Sequence, residues 1–563
     1  MQKGFRLIIT IILSLLLVSG TMAGCTKNNS SGTTSNTASI TTSVNNATAS
    51  SSGNSTSIID NSKLTKLTVY SEMDPATAQS CKDLNDHEVF KELEKRTGVH
   101  VNWIHPTAGA GEEQFNLLIA SGDFPDLIKY DWPNAKGGVT KYAQDKVIIK
   151  LNDLIDNYAK DFVKLLNEYP SIKRNMTNAD GEMYFFPQVI ITPENNIYKG
   201  PIIRQDWLDK LSLSVPTNIN ELYTVLKAFK TGIPEVNGKA VWPMSGACYS
   251  DGGFYSSSAH SIGFLTWAWD TNVGCYLRDG KIQFGPMDPQ FEQALRFANK
   301  LYNEKLLDPD YLLNDRTKLD AKIMSNQVGF VFHYQPTKFM TAMATVDPGF
   351  KVAGIPYLKG PDGQKGVFDG SLITNIVNAG CVAITTACEY PEEAMKWLNY
   401  GYTEEGNLLM NFGIEDKSYT MVDGNPVYTD LIRKNPDGLA MNIALGKWSM
   451  AVCKWPATQD VRYFQQYVVT DYSRDSINAW KSSIDFDPFS RIVPVLVMNP
   501  EDSEKYASIF NDIETYIFEM CDKFVLGKES FDNYGKFIER LKAMKVEEAV
   551  ALQQKAYEAY IKK

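Results

Sequence analysis

The sequence predicts an α/β protein of two lobes with a helical C-terminal region, and three observations predict it. Between residues 66 and 130, strand-like and helix-like runs alternate. KLTVY (66–70) is followed by the amphipathic HEVFKELEKR (87–96), VHVNWI (99–104), a helical face at Gln114–Ala120 and the apolar run Leu127–Tyr130. β-α-β-α-β with short connections marks an open parallel sheet wound by helices, whose ligands sit beyond the carboxyl ends of the strands. Alternation then resumes later in the chain. It runs through Ile202–Arg204, a helix at Asn220–Lys230, the long amphipathic Asp288–Lys305, Val328–Phe332, Val382–Thr385 and Pro391–Tyr400. From Glu501 onward the pattern is helical through Ile509–Phe524 and Phe531–Tyr560.

The element boundaries have local causes. Thr97-Gly98 closes the first helix with glycine at the C-cap. Thr217 or Asn218 caps the helix that follows, and Pro391 occupies a first turn, where its missing N–H costs nothing. The stretch EEQFNLLIASGDFPDLIKYD (112–131) runs from a helical face through an acidic, glycine-containing turn into a strand. Gly122 reads as the C-cap, Phe124-Pro125 as the turn and Asp126 as the entry to the strand. Tyr130-Asp131-Trp132 then ends the strand on the ligand side of the sheet.

The N-terminus reads as an export signal. Lys3 and Arg6 precede an apolar run from Leu7 to Val18, too short to span a bilayer stably. Met22-Ala23-Gly24-Cys25 resembles the bacterial lipobox, in which the cysteine becomes a lipidated N-terminus. Met22 stands where leucine is usual. Residues 26 to about 62 are almost wholly Ser, Thr, Asn, Gly and Ala, a tract that cannot bury enough apolar surface to order itself. As a flexible tether its root-mean-square reach is roughly 35 Å. The expected organisation is a signal peptide at 1–24, a lipidated Cys25 with its linker at 25–64, and a folded body from 65.

Composition narrows the function. The formal charge is −10, and −12 once Lys3 and Arg6 are removed. That balance argues against nucleic acid, which calls for basic patches. Besides Cys25 there are seven cysteines, at 81, 248, 275, 381, 388, 453 and 521. An odd number at wide spacing is no disulfide framework. Cys381 and Cys388, seven residues apart along a strand, would be held about 23 Å from each other. No cysteine pair has zinc spacing with any of the five histidines, and no G-x-S-x-G, H-E-x-x-H or P-loop occurs.

Four stretches carry a family resemblance: EQFNLLIASGDFPDLI (113–128), DGEMYFFP (180–187), IIRQDWLDKLSLSVPTNINELYTVLKAFK (202–230) and DIETYIFEMCDKFVLGK (512–528). Across about residues 65 to 560 the chain resembles the extracellular solute-binding lipoproteins of carbohydrate ABC importers, family 1. Within them it is similar to the large group that includes the alginate-binding proteins. The resemblance implies a two-lobe periplasmic-binding-protein fold, type II-like, with hinge crossovers and a cleft that closes on its ligand. It implies lobe 1 at 65–187 and 366–425, and lobe 2 at 188–365 and 426–563. It implies an oligosaccharide ligand, ABC permease subunits as partners, attachment to the outer face of the cell membrane through the lipid, a monomer, no cofactor and no catalysis. A receptor for a peptide or a surface glycan-degrading enzyme are the alternatives. In the alginate-binding relatives a loop after the LKAFK helix carries an Asp/Asn-rich calcium site. Here that loop reads TGIPEVNGKAVWP (231–243), in which Glu235 and Asn237 cannot obviously supply six to eight oxygens. No metal is expected there.

A sugar cleft needs aromatic faces for pyranose rings and polar groups for hydroxyls. The candidates are Asp131 and Trp132 at the strand end, and Trp267 and Trp269 in an aperiodic Gly/Ser-rich stretch. Tyr334 follows VGFVF directly, Asp369 precedes a run back to the first lobe, and Trp448 and Trp455 lie in the irregular GKWSMAVCKWP. Each has a structural alternative: tryptophan in a large protein is most often core, and Asp369 could simply form a turn. Arg204 reads as a lobe-core ion pair or a hinge residue rather than a ligand contact, and Trp207 as packing its helix onto the sheet.

Overall fold

The computed structural model describes residues 64–107, 110–191, 197, 199–248, 261–361, 363, 376–468, 470–484 and 490–562. Cys25 and Asp369 lie outside them.

β1 (Lys66–Ser71), β2 (His100–Ile104) and β3 (Leu127–Tyr130) are parallel, with Val69 opposite both Trp103 and Leu127. The chain then lays down β4 (Phe186–Val189) and β5 (Lys199–Arg204). A small hairpin, β6 (Glu235–Val236) and β7 (Lys239–Ala240), precedes β8 (Trp242–Met244). A second hairpin, β9 (Cys275–Arg278) and β10 (Lys281–Phe284), is followed by β11 (Val328–Tyr334) and β12 (Val352–Gly354). Finally come β13 (Val377–Ile384) and the hairpin β14 (Tyr419–Val422) and β15 (Asn425–Tyr428). Two larger sheets result, ordered β2-β1-β3-β13-β4 and β12-β5-β11-β8.

Each sheet has its own core. Val69, Leu127, Ile128, Phe186 and Val382 of the first pack with Leu93, Phe115, Ile155 and Trp397 from its helices. Ile203, Phe330 and Phe332 of the second pack with Leu226, Phe229 and Leu295. Ile513, Ile517 and Phe524 of the helix Pro500–Val525 belong to this second core. A third cluster gathers Phe412, Tyr419, Tyr428, Leu445 and Trp448.

The turn after the helix Gly111–Ser121 has a physical account. Gly122 takes φ 72°, the left-handed C-cap conformation that favours glycine. Asp126 accepts hydrogen bonds from the Thr68 N–H and Thr68 Oγ1, both at 2.7 Å, and its own N–H donates to Thr68 Oγ1 at 2.9 Å. It thereby fixes the start of β3 against β1. Asp123 is exposed.

Several expectations sharpen. Asn152–Tyr158 and Lys160–Glu168, which the pattern of 153–166 alone would read as one helix, are separated at Ala159. Trp267 and Trp269 lie in a 3-10 helix, Gly263–Trp269, and the start of GKWSMAVCKWP ends a helix, Met441–Trp448. Asn218 is the N-cap, accepting from the N–H groups of Asn220 and Glu221. Arg204, 2% exposed, bonds Asp206 in two places, at 2.8 and 2.6 Å, between the rings of Trp207 and Phe350. Among the described residues no disulfide links the cysteines at 81, 248, 275, 381, 388, 453 and 521. Among the described residues no helix is long and apolar enough to cross a membrane.

Candidate functional site

Strand direction locates the site. β13 is antiparallel to β3 and to β4, so β1, β3 and β4 all run toward one edge of the first sheet. From that edge the chain leaves β4 for β5, and at that edge β13 begins. In the second sheet Lys199, the first residue of β5, stands opposite Tyr334, the last of β11. β12 is antiparallel to β5 and leaves by the same end, where Tyr357 Oη donates to the Lys199 carbonyl at 2.8 Å. A third passage binds Val189 through Ala457 and Gln459, runs through the helix Val461–Tyr467, and meets the second lobe where Thr470 Oγ1 lies 2.9 Å from Thr337 Oγ1. The crossing points therefore join one edge of each sheet. Tyr130-Asp131 opens from the first and Tyr334-Gln335 from the second.

The two edges differ electrostatically. Burial raises the Tyr130 phenol, and Glu112, Asp131 and Glu72 around it raise it further. Tyr70 is pushed up to about 12, first by burial and then by Glu72. The buried Lys129 is spent on Asp74, at 3.0 Å. The first edge is thus acidic. On the second, Asp320 accepts from His333 Nε2 at 2.8 Å and from Lys338 Nζ at 2.5 Å. Burial would raise the Asp320 carboxyl, yet these two partners hold it at about 2. Burial lowers His333, with Asp320 opposing. The Arg316 guanidinium lies over the Tyr334 ring, 4.8 Å from its centroid.

The structure distributes the predicted residues unevenly. Asp131 and Tyr334 stand at the facing edges. The Asp131 carboxylate accepts from Asn134 Nδ2 at 3.2 and 3.1 Å, and its carbonyl accepts from the Asn134 N–H at 3.1 Å. Trp267 lies behind Tyr334's strand, edge-on to Phe332 and Tyr357 at 5.4 and 6.0 Å, and walls an apolar pocket with Pro201, Ile219 and Phe264. Trp132 is fully buried: its Nε1 donates to the Ile128 carbonyl at 3.0 Å and its ring packs edge-on against Phe115, Tyr130 and Tyr142. Trp269 packs on Phe297 of the helix Pro289–Asn303. Trp448 sits in the third cluster with Lys417 Nζ over its ring at 4.3 Å. Trp455 is in the first core, against Trp103 at 5.2 Å and Phe90 at 5.6 Å. Sequence reasoning pointed to Gln335 only as the neighbour of Tyr334 and did not single out Arg316, Tyr467, Glu72 or Glu112. Arg316, Gln335 and Tyr467 come from separate elements and carry no common motif.

Two α/β lobes joined by repeated crossings between one edge of each sheet are the architecture of periplasmic-type binding proteins, in which such crossings serve as hinges. Residues 84–408 match the bacterial extracellular solute-binding proteins, and the chain belongs to that family. It is 26% identical over 509 residues to the fructooligosaccharide ABC transporter substrate-binding protein FusA of Streptococcus pneumoniae serotype 4, covering 87% of this chain and 90% of FusA. It is 24% identical over 449 residues to lipoprotein LipO of Bacillus subtilis, covering 78% of this chain and 82% of LipO. A solved structure of FusA in complex with kestose matches with TM-score 0.71 at 24% identity over 88% of this chain and 99% of that one. The alginate-binding protein AlgQ2 without calcium ion matches with TM-score 0.69 at 24% identity, covering 88% and 98%. These two structures establish the likeness of fold.

Proposed function

We propose that this chain is the substrate-binding protein of a carbohydrate ABC importer: it captures an oligosaccharide between its lobes, hands it to the permease and performs no hydrolysis. The observation that carries this reading is the pair of facing edges, one bearing Tyr130 and Asp131 and the other Tyr334 beneath Arg316. The similarity to FusA over nine-tenths of its length supports a sugar ligand. The acidic first edge favours a neutral glycan over a polyuronate, because like charges brought together in a closing cleft repel. Asp131 and Tyr334 contact the ligand in this reading, with Trp267 behind them. Trp132, Trp269, Trp448 and Trp455 support the walls. The first lobe comprises 64–190 and 376–457 and the second 199–361 and 468–562, which moves 426–457 to the first lobe because Met450, Cys453 and Trp455 share its core. A diacylglyceryl group on Cys25 holds the monomer at the outer face of the membrane.

The test is a melting-shift screen against kestose, nystose, neutral gluco- and manno-oligosaccharides, oligogalacturonides and mixed peptides. A neutral oligosaccharide is expected to raise the melting temperature, since ligand at 100 Kd adds about 2.7 kcal/mol. Shifts with peptides alone, or release of new reducing ends, would overturn the proposal.

A further inference from the structure

Arg316 is an anomaly at the second edge. It is the first residue of the helix Arg316–Met324, behind the N-cap Asp315. A cation at a helix N-terminus opposes the helix dipole. Its carboxylate neighbour, Asp320 Oδ2, is 3.9 Å away, beyond hydrogen-bond reach. That carboxylate is already bonded by His333 and Lys338. Among the described residues no acceptor lies within hydrogen-bond reach of the guanidinium, which stays half-exposed with its Cζ 4.8 Å from the Tyr334 ring centroid. Directly after Tyr334, Gln335 has a buried Oε1 with no partner among the described residues. A buried carbonyl left unbonded costs about 1–3 kcal/mol. Tyr467, from the third crossing, completes the group: burial raises its phenol, while nearby Arg316 draws it down. Three separate elements thus bring a free donor fork, an unused acceptor and aromatic surface to one end of β11.

We propose that Arg316 and Gln335 form a hydroxyl-reading subsite that selects a neutral sugar unit presenting two adjacent hydroxyls next to Tyr334. The guanidinium is planar and rigid, so two parallel N–H groups meet two neighbouring hydroxyl oxygens. One of those hydroxyls, or the next along the ring, donates to Gln335 Oε1. Stacking on Tyr334 orients the fork before the ligand arrives, which reduces the ordering cost on binding. A sugar lacking one hydroxyl of the pair leaves both protein groups unsatisfied and is rejected. This inference rests on the sugar-receptor reading and adds to it the class of unit recognised and the residues that select it.

The experiment measures Kd by calorimetry for the full mature chain and for Arg316→Ala, Arg316→Lys and Gln335→Ala. The probes are the neutral oligosaccharide giving the largest melting shift, its deoxy analogues and a trigalacturonide, and each variant is melted without ligand. Arg316→Ala and Gln335→Ala are expected to keep the unliganded melting temperature and weaken the neutral sugar at least 10-fold. Arg316→Lys should fail to restore it, because an ammonium cannot form the fork. Both alanine variants should compress the discrimination between parent sugar and deoxy analogue. Unchanged Kd and unchanged discrimination, with the wild type binding normally, would overturn the subsite and leave the receptor reading intact. Arg316-dependent binding of the trigalacturonide in preference to the neutral sugar would overturn the neutral diol. Absence of all oligosaccharide binding by the wild type would overturn both readings.

Discussion

Two aspartates three residues apart, Asp123 and Asp126, show how little residue type says about burden. Asp126 joins β1 to β3 through three hydrogen bonds with Thr68, whereas Asp123 is exposed. Asp126→Ala is expected to cost about 2–3 kcal/mol, since hydrogen bonds to charged groups contribute about 1.5–3 kcal/mol each and do not add fully. Asp123→Ala should stay within about 0.5 kcal/mol. Urea unfolding of both variants checks this, and equal losses would refute it. The sequence marked the turn but could not tell the two acids apart, because the deciding partner lies 58 positions upstream. Tryptophan was ambiguous for the same reason: Trp132 ends a strand that points at the cleft, yet its ring turns back into the core. Histidine sets an acid limit. Burial lowers both His87 and His333, so the unfolded chain binds their protons first and stability falls as pH drops below about 6.5. Asp320, held at about 2, adds stability that is complete above about pH 4 and drains between pH 4 and 2, at most roughly 2 kcal/mol. Melting temperatures taken from pH 7.5 down to 3 should therefore fall in two stages, and a flat profile would refute the assignment.

Elements were more legible than residues. Alternation and caps gave the parallel β1–β3 unit, because a glycine at φ 69° after Thr97 or 72° after Ser121 leaves a local signature. The position of β13 between β3 and β4 had no such signature, since strand order is decided by contacts between residues about 190 or more positions apart. The loop 231–243 folds as the β6–β7 hairpin, with Asn237 at φ 52° and Gly238 at φ 71° forming a two-residue turn of the type that suits twisted strands. Such a turn draws the chain tight and leaves little room to wrap a cation with six or more oxygens. Micromolar calcium is accordingly expected to leave the melting curve within about a degree, because an ion that does not bind the native state cannot stabilise it. A rise of several degrees would place a site here after all.

At the scale of the whole molecule, the helix Pro500–Val525 joins what the sheets keep apart. Its distal half lies in the second core, while Ser503 Oγ donates to the Gly137 carbonyl at 2.9 Å and Thr140 Oγ1 donates to that of Met498 at 3.3 Å. Any closure of the cleft must flex this brace as well as the crossings. The anchor is tested at this scale too: Cys25→Ser is expected to move the protein from the membrane fraction to the medium and to abolish labelling by fatty acid, and an unchanged membrane fraction would refute it. The strand order of the first sheet has a consequence for biogenesis. Its inner strand, β13, is encoded at 377–384, and Trp455 still belongs to its core. The ribosome therefore releases more than four-fifths of the polypeptide before the first lobe can close, and contacts so distant in sequence form slowly. A chain that stays unfolded while it is being made is one that a membrane channel can still thread, so under the export reading proposed above the interleaved lobes would keep the polypeptide threadable.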